Sequence, residues 1–133
     1  MIDPHVHLRD WKQKDKETVK HGLHVASKAR LTGVFEMPNT NPALTSRDSL
    51  GTRIELADRV IEELGIRMFH GMYAGLTNDV DQIEEVVTAH NELFPRVVGL
   101  KMYAGHSTGT MGIVDEKSQQ LVYRTLKRLN YQG

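Results

Sequence analysis

Near the start of the chain, the stretch "DPHVHLRD" (3–10) places Asp3, His5, His7 and Arg9 at alternate positions. In an extended strand, residues two apart share a face, so these four are expected to point one way. Two imidazoles on one face, about 7 Å apart by the usual strand rise, can converge on one metal ion. The same spacing also arises in ordinary surface histidines. A second chemically loaded position is Lys101, in "VVGLKMY" (97–103). Val97, Gly99, Lys101 and Tyr103 share one parity, opposite to Val98, Leu100 and Met102, and Gly99 leaves room beneath the lysine. A lysine at the inward end of a buried strand is costly unless it is paired or neutralised. Either it snorkels to the open end of the sheet, or it is carboxylated and the two carbamate oxygens bridge two cations.

These residues need elements that hold them. "GVFEMP" (33–38), "GIRMFHGMY" (65–73) and "RVVGLKMY" (96–103) are short apolar runs ending in turn chemistry, as buried parallel strands do, and "MIDPHVH" (1–7) heads the set despite Pro4. Helical periodicity separates them. Val19, Leu23, Ala26 and Ala29 share one face, as do Ile54, Ala57, Ile61 and Leu64; then Val80, Ile83, Val87 and Phe94; then Val122, Leu126 and Leu129. Cap-like spacing appears at Thr45 with Asp48, at Asn78 with Asp81, and at Asp115. Strands starting near 1, 33, 66 and 97 recur at a period of about 32 residues, as successive βα units do. "MYAG" occurs at 72–75 and 102–105, each time where a strand is expected to become a loop.

Such a series predicts an α/β fold, either a doubly wound sheet or a (β/α)8 barrel of TIM type. Four units fit residues 1–133, and a fifth strand would fall near 134, so the expectation is the N-terminal half of a barrel in one domain. Barrel enzymes carry their chemistry at the C-terminal ends of strands, where His5, His7 and Lys101 fall.

Composition narrows the class. Lys plus Arg and Asp plus Glu both total 17, which gives no field for nucleic acid or an anionic membrane. No cysteine is present, which removes disulfides and thiolate metal sites and suits a reducing compartment. No apolar run approaches the roughly 20 residues of a membrane span, and charge arrives too early for a secretory leader. The expectation is a soluble, cytoplasmic protein.

Taken together, "DPHVHLRD", "MPNTNP" (37–42) and "GLKMYAG" (99–105), in this order and spacing, resemble the dihydroorotase branch of the amidohydrolase superfamily over essentially the whole chain. The resemblance implies that His5 and His7 ligate a metal and that Lys101, as a carbamate, bridges two zinc ions. It implies that Arg9 and Asn39 hold the substrate carboxylate, for which a guanidinium fork and an amide are suited; otherwise Asn39 is a turn residue. The implied reaction is the reversible hydrolysis of L-dihydroorotate to N-carbamoyl-L-aspartate in pyrimidine synthesis, by a metal-activated hydroxide. Thr108 and Thr110, in "AGHSTGTMG" (104–112), match the family's substrate-closing threonines, or belong to an ordinary flexible loop.

Three features depart from that pattern. Trp11 stands where relatives usually have Pro or Gly, no small β domain precedes the first strand, and the family's later histidines and catalytic aspartate would lie beyond Gly133. No catalytic base is therefore expected within these residues, and the isolated chain is expected to be inactive. His21, His24 and His90 fall in helical stretches, His70 is expected to face the helices on the ground that it is opposite in parity to Gly71, and His106 lies in the loop. Alternatives within enzymes are a hydantoinase or allantoinase; outside them, a non-catalytic assembly module. The expected partners are the small-molecule substrate and, because inward residues such as Phe35 and Val97 would be uncovered, a second copy or the missing half of the barrel.

Overall fold

The computed structural model describes residues 1–107 and 111–132. Four strands alternate with four helices: β1 (Ile2–Val6), α1 (Val19–Lys28), β2 (Gly33–Glu36), α2 (Arg47–Leu64), β3 (Phe69–Gly75), α3 (Val80–Leu93), β4 (Val97–Lys101) and α4 (Glu116–Arg128). All neighbouring strands are parallel and their order is β1-β2-β3-β4. A doubly wound sheet reverses its strand order at a switch point; this sheet always steps the same way, as a (β/α)8 barrel does. No helix among the described residues is long and apolar enough to cross a membrane.

Each helix begins on a side chain that satisfies its first amides. Asp115 accepts from Ser118, as expected, and Thr18, which the spacing did not single out, accepts from the His21 amide. Two caps sit one residue later than the sequence spacing indicated. Ser46, in a reciprocal box with Ser49, starts α2, and Asp79 starts α3. At the far end of α2, Gly65 takes the left-handed conformation, φ 60°, that closes a helix. The connector Gly65–Met68 moves the start of β3 to Phe69, three residues after the periodic expectation.

The core lies between sheet and helices in two clusters. Leu8, Val34 and Met68 pack with Val19 and Leu23 of α1 and Ala57 and Val60 of α2. Met72, Ala74 and Val97 pack with Leu50 of α2, Ile83 and Val86 of α3 and Val122 of α4. Phe94 does not join its helical stripe; it caps the end of α3 and is 65% exposed. Ala29 is likewise an exposed cap residue rather than part of the buried stripe of α1.

Two register shifts alter which way side chains point. On β1, Asp3 pairs with Val34 but Val6 pairs with Glu36, so the strand carries one extra residue between them. On β4, Val97 pairs with Met72 and Gly99 with Tyr73, which leaves Val98 as the extra residue. Such a bulge exchanges the faces on its two sides. Val97 is therefore on the helix side and fully buried, not on the inner face where alternation placed it. The residue across from Lys101 is Gly75, and the first "MYAG" lies inside β3 while the second follows β4. The inner face carries aromatic rings: Phe35 stands edge-on to Phe69 and Tyr73 at 6.2 and 6.4 Å between ring centres. Gly71 lies among them, and a Cβ there would come within 2.7 Å of Val98 and 3.0 Å of Phe35.

Candidate active site

The C-terminal end of β1 is anchored from both sides. Val6 O accepts from the Met37 amide at 2.9 Å, tying it to the end of β2. Leu8 is buried against Gly22 of α1, where an added Cβ would meet its Cδ2 at 2.4 Å. A mid-helix glycine is unfavourable by about 1 kcal/mol relative to alanine, and here its missing side chain is the seat for Leu8. Beyond Leu8, Arg9, Asp10 and Trp11 all have positive φ, at 50°, 62° and 49°. The Asp10 carboxylate holds this turn by accepting from the amides of Trp11 at 2.8 Å and Val19 at 2.9 Å.

Within this frame His5 and His7 stand side by side, their ring centres 5.3 Å apart. His7 Nδ1 donates to Asn39 Oδ1 at 2.8 Å. That bond fixes the proton on Nδ1 and leaves the Nε2 lone pair to a ligand. Burial lowers the His7 pKa below the ordinary imidazole value; the Asn39 bond opposes the shift, and the charges of Arg9 and His5 reinforce it. A neutral ring is the form a metal takes. Arg9 lies beyond the strand, and its Nη1 donates to the backbone carbonyl of Asn39 at 3.0 Å. The expected four-residue face is thus reduced. The bulge sends Asp3 to the helix side with Val34, and its carboxylate accepts from the His5 amide at 3.0 Å.

Lys101 ends β4 across from Gly75, half-buried, with Nζ 5.6 Å from the centre of the Tyr103 ring. Burial raises the Tyr103 pKa, and the Arg9 charge acts against that rise. The Tyr103 hydroxyl is buried without a hydrogen-bond partner among the described residues. Thr108 and Thr110 lie outside the described residues. His21 bonds Glu17 on the surface of α1, His24 and His106 are exposed, and His90 packs edge-on to Tyr131.

A buried charged group, not anticipated from the sequence, lies on the helix side of this end of the sheet. Glu36, Arg53 and His70 are all 0–1% exposed. Arg53 grips Glu36 with Nε at 2.9 Å and with Nη2, and His70 Nε2 lies 3.1 Å from the same carboxylate. Burial pushes the Glu36 carboxyl up, but the bonds to His70 and Arg53 outweigh it and hold the group below its ordinary value. His70 does face the helices. Two features of the sequence pointed here: Glu36 ends an apolar strand, and Arg53 falls on the Leu50–Ala57–Val60 stripe of α2.

The donor set fits a metal ion in part. His5 and His7 offer two imidazoles, one with its tautomer set, and no group of three His, Cys, Asp or Glu among the described residues could hold an ion alone. Lys101 would have to enter such a site as a carbamate, in which its cationic amine becomes an oxygen donor.

No family model matches the chain. Among curated proteins, the dihydroorotase of Methanosarcina mazei is 30% identical over 133 residues, covering 96% of this chain and 26% of that protein. The dihydroorotase of Thermococcus kodakarensis is 42% identical over 59 residues, covering 44% of this chain and 14% of its own length. Among solved structures, the L-hydantoinase (dihydropyrimidinase) from Arthrobacter aurescens superposes with a TM-score of 0.70 at 21% identity, over 96% of this chain and 26% of that one. The chain thus spans about a quarter or less of the length of these proteins. In sequence and in fold, the chain is a dihydroorotase-like amidohydrolase segment that forms four consecutive strands of the barrel.

Proposed function

We propose that this chain supplies the first part of an active site that opens and closes a cyclic amide bearing a carboxylate, L-dihydroorotate being the substrate and N-carbamoyl-L-aspartate the product. The observation that carries the reading is the His7–Asn39–Arg9 cluster, in which a histidine ready to ligate stands one residue from a guanidinium. His5 and His7, with Lys101 as a carbamate, are the residues that would hold zinc, two ions in a complete site. When bound, zinc polarises the amide carbonyl and makes hydroxide available near neutral pH. Asn39 keeps the His7 proton on Nδ1. Arg9 pairs with the substrate carboxylate and so orients the ring, and the Tyr103 ring flanks the Lys101 amine. The described residues bring no third imidazole and no evident base to this site, so turnover requires further strands, and the isolated chain should show none. The edges of β1 and β4 and the inner rings of Phe35 and Phe69 are where such strands, or a second copy, would pair.

Calorimetric titration with zinc, then with N-carbamoyl-L-aspartate, tests this reading. Arg9→Met should keep zinc uptake and lose most affinity for the carboxylate, and Lys101→Ala should lower zinc uptake. Unchanged carboxylate binding in Arg9→Met would remove Arg9 from the site.

A further inference from the structure

The Arg9–Trp11 turn is held by more than its own hydrogen bonds. Arg53 Nη2, besides gripping Glu36, donates to the carbonyl oxygen of Arg9 at 2.9 Å. The same guanidinium stacks on Trp11, its Cζ 4.7 Å from the ring centre. One fully buried side chain on α2 therefore touches both ends of a turn whose three residues all take positive φ. Through Glu36 it is also tied to the end of β2, three residues before Asn39. Three left-handed residues in sequence, none of them glycine, persist only when their surroundings enforce them. Trp11, the residue that departs from the family pattern, is one of the surfaces Arg53 uses.

We propose that Arg53 is a positioning residue for carboxylate recognition: by bonding the Arg9 carbonyl and stacking on Trp11, it sets where the Arg9 guanidinium stands relative to Asn39. This rests on the reading of Arg9 as the carboxylate-binding residue. A lysine at position 53 keeps a positive charge for Glu36. It cannot grip that carboxylate with two N–H groups, reach the Arg9 carbonyl and stack flat on an indole at the same time.

Trp11 is the chain's single tryptophan, so its fluorescence reads this turn directly. In Arg53→Lys, far-UV circular dichroism should match wild type, while Trp11 emission moves to longer wavelength and acrylamide quenching increases. Zinc uptake should be unchanged, and affinity for N-carbamoyl-L-aspartate should fall by about tenfold or more, the scale expected when a binding group is displaced by a fraction of an ångström to an ångström. Val60→Ala, in the core cluster that Trp11 does not pack against, controls for general loosening and should leave the Trp11 signal alone. If Arg53→Lys does not fold, Glu36→Asp shifts the grip while keeping every charge, and it should give the same signature. Wild-type Trp11 emission and quenching in a folded variant would overturn the proposal. So would a changed Trp11 signal with undiminished carboxylate binding while Arg9→Met binds none. If Arg9→Met binds like wild type, the carboxylate reading of Arg9 fails; the Trp11 readout then decides whether Arg53 sets the turn at all.

Discussion

The two ends of the sheet carry their chemistry in different ways. At the β1–β2 end, each candidate side chain is tied to a neighbour: His7 to Asn39, Arg9 to the Asn39 backbone, and the Arg9 backbone to Arg53. At the β4 end, Lys101 has the face of Tyr103, and the Tyr103 hydroxyl has no partner among the described residues. The difference is one of preorganisation. The first end holds its geometry through groups within one continuous span of 49 residues, from His5 to Arg53. The second has its backbone held, by the Leu76 and Ile113 amides, but among the described residues its reactive side chains have no comparable set of hydrogen bonds.

The contrast is broken most severely by removing the buried pair. Arg53→Met leaves Glu36 buried with His70 as its remaining partner, and should cost about 3–5 kcal/mol in chemical denaturation; a loss under 1 kcal/mol would show that the β1–β2 end does not depend on it. The same group sets an acid limb. The folded-state pKa of Glu36 lies below its unfolded value, so the folded state binds fewer protons. The stability it contributes is present above the ordinary glutamate range and is lost as pH falls through that range toward the depressed folded value. Glu36→Gln, if it folds, should flatten thermal stability against pH in that window.

At the His7 contact the effect should be smaller and local. Asn39→Ala removes the partner that fixes the His7 tautomer and should weaken zinc binding by about 10–100-fold with little change in melting temperature. Equal zinc affinity in wild type and variant would mean the first end is no better organised than the second. Gly22→Ala probes the Leu8 seat beneath β1. Overpacking costs about 1–3 kcal/mol and the helix regains about 1 kcal/mol. A net loss of up to about 2 kcal/mol is expected, and a stabilised variant would show that Leu8 yields freely. The baseline is the exposed Lys20–Glu63 pair between α1 and α2: Glu63→Gln should change stability by less than about 1 kcal/mol, as surface pairs do.

The order of elements was legible because hydrophobic period and turn chemistry repeat unit by unit. The HxH pair and Lys101 stood out because charged or imidazole groups at strand ends contrast with apolar runs, whereas Arg9 and Asn39 entered the proposed site through the family resemblance, Asn39 alone reading as a turn residue. Facing was less so. Alternation assumes an unbroken pleat, and bulges at Pro4–His5 and at Val98 carried Asp3 and Val97 to the other side. Cap positions slipped by one because Thr45 and Asn78 have the same chemistry as their neighbours Ser46 and Asp79. Arg53 stayed hidden because an arginine in a helix is read as solvated unless its partner, seventeen residues earlier on β2, is known to be buried beside it.

The bulge at Val98 makes the direction of Lys101 a matter of counting. Removing one residue between Val97 and Leu100 would erase the bulge and leave the lysine opposite Gly75 with its facing kept. Removing two would put the strand out of phase and turn the lysine toward the helices, with its identity and its neighbours in the chain unchanged. Insertions and deletions in this strand should therefore act with an even–odd rhythm, and substitutions alone would never expose it.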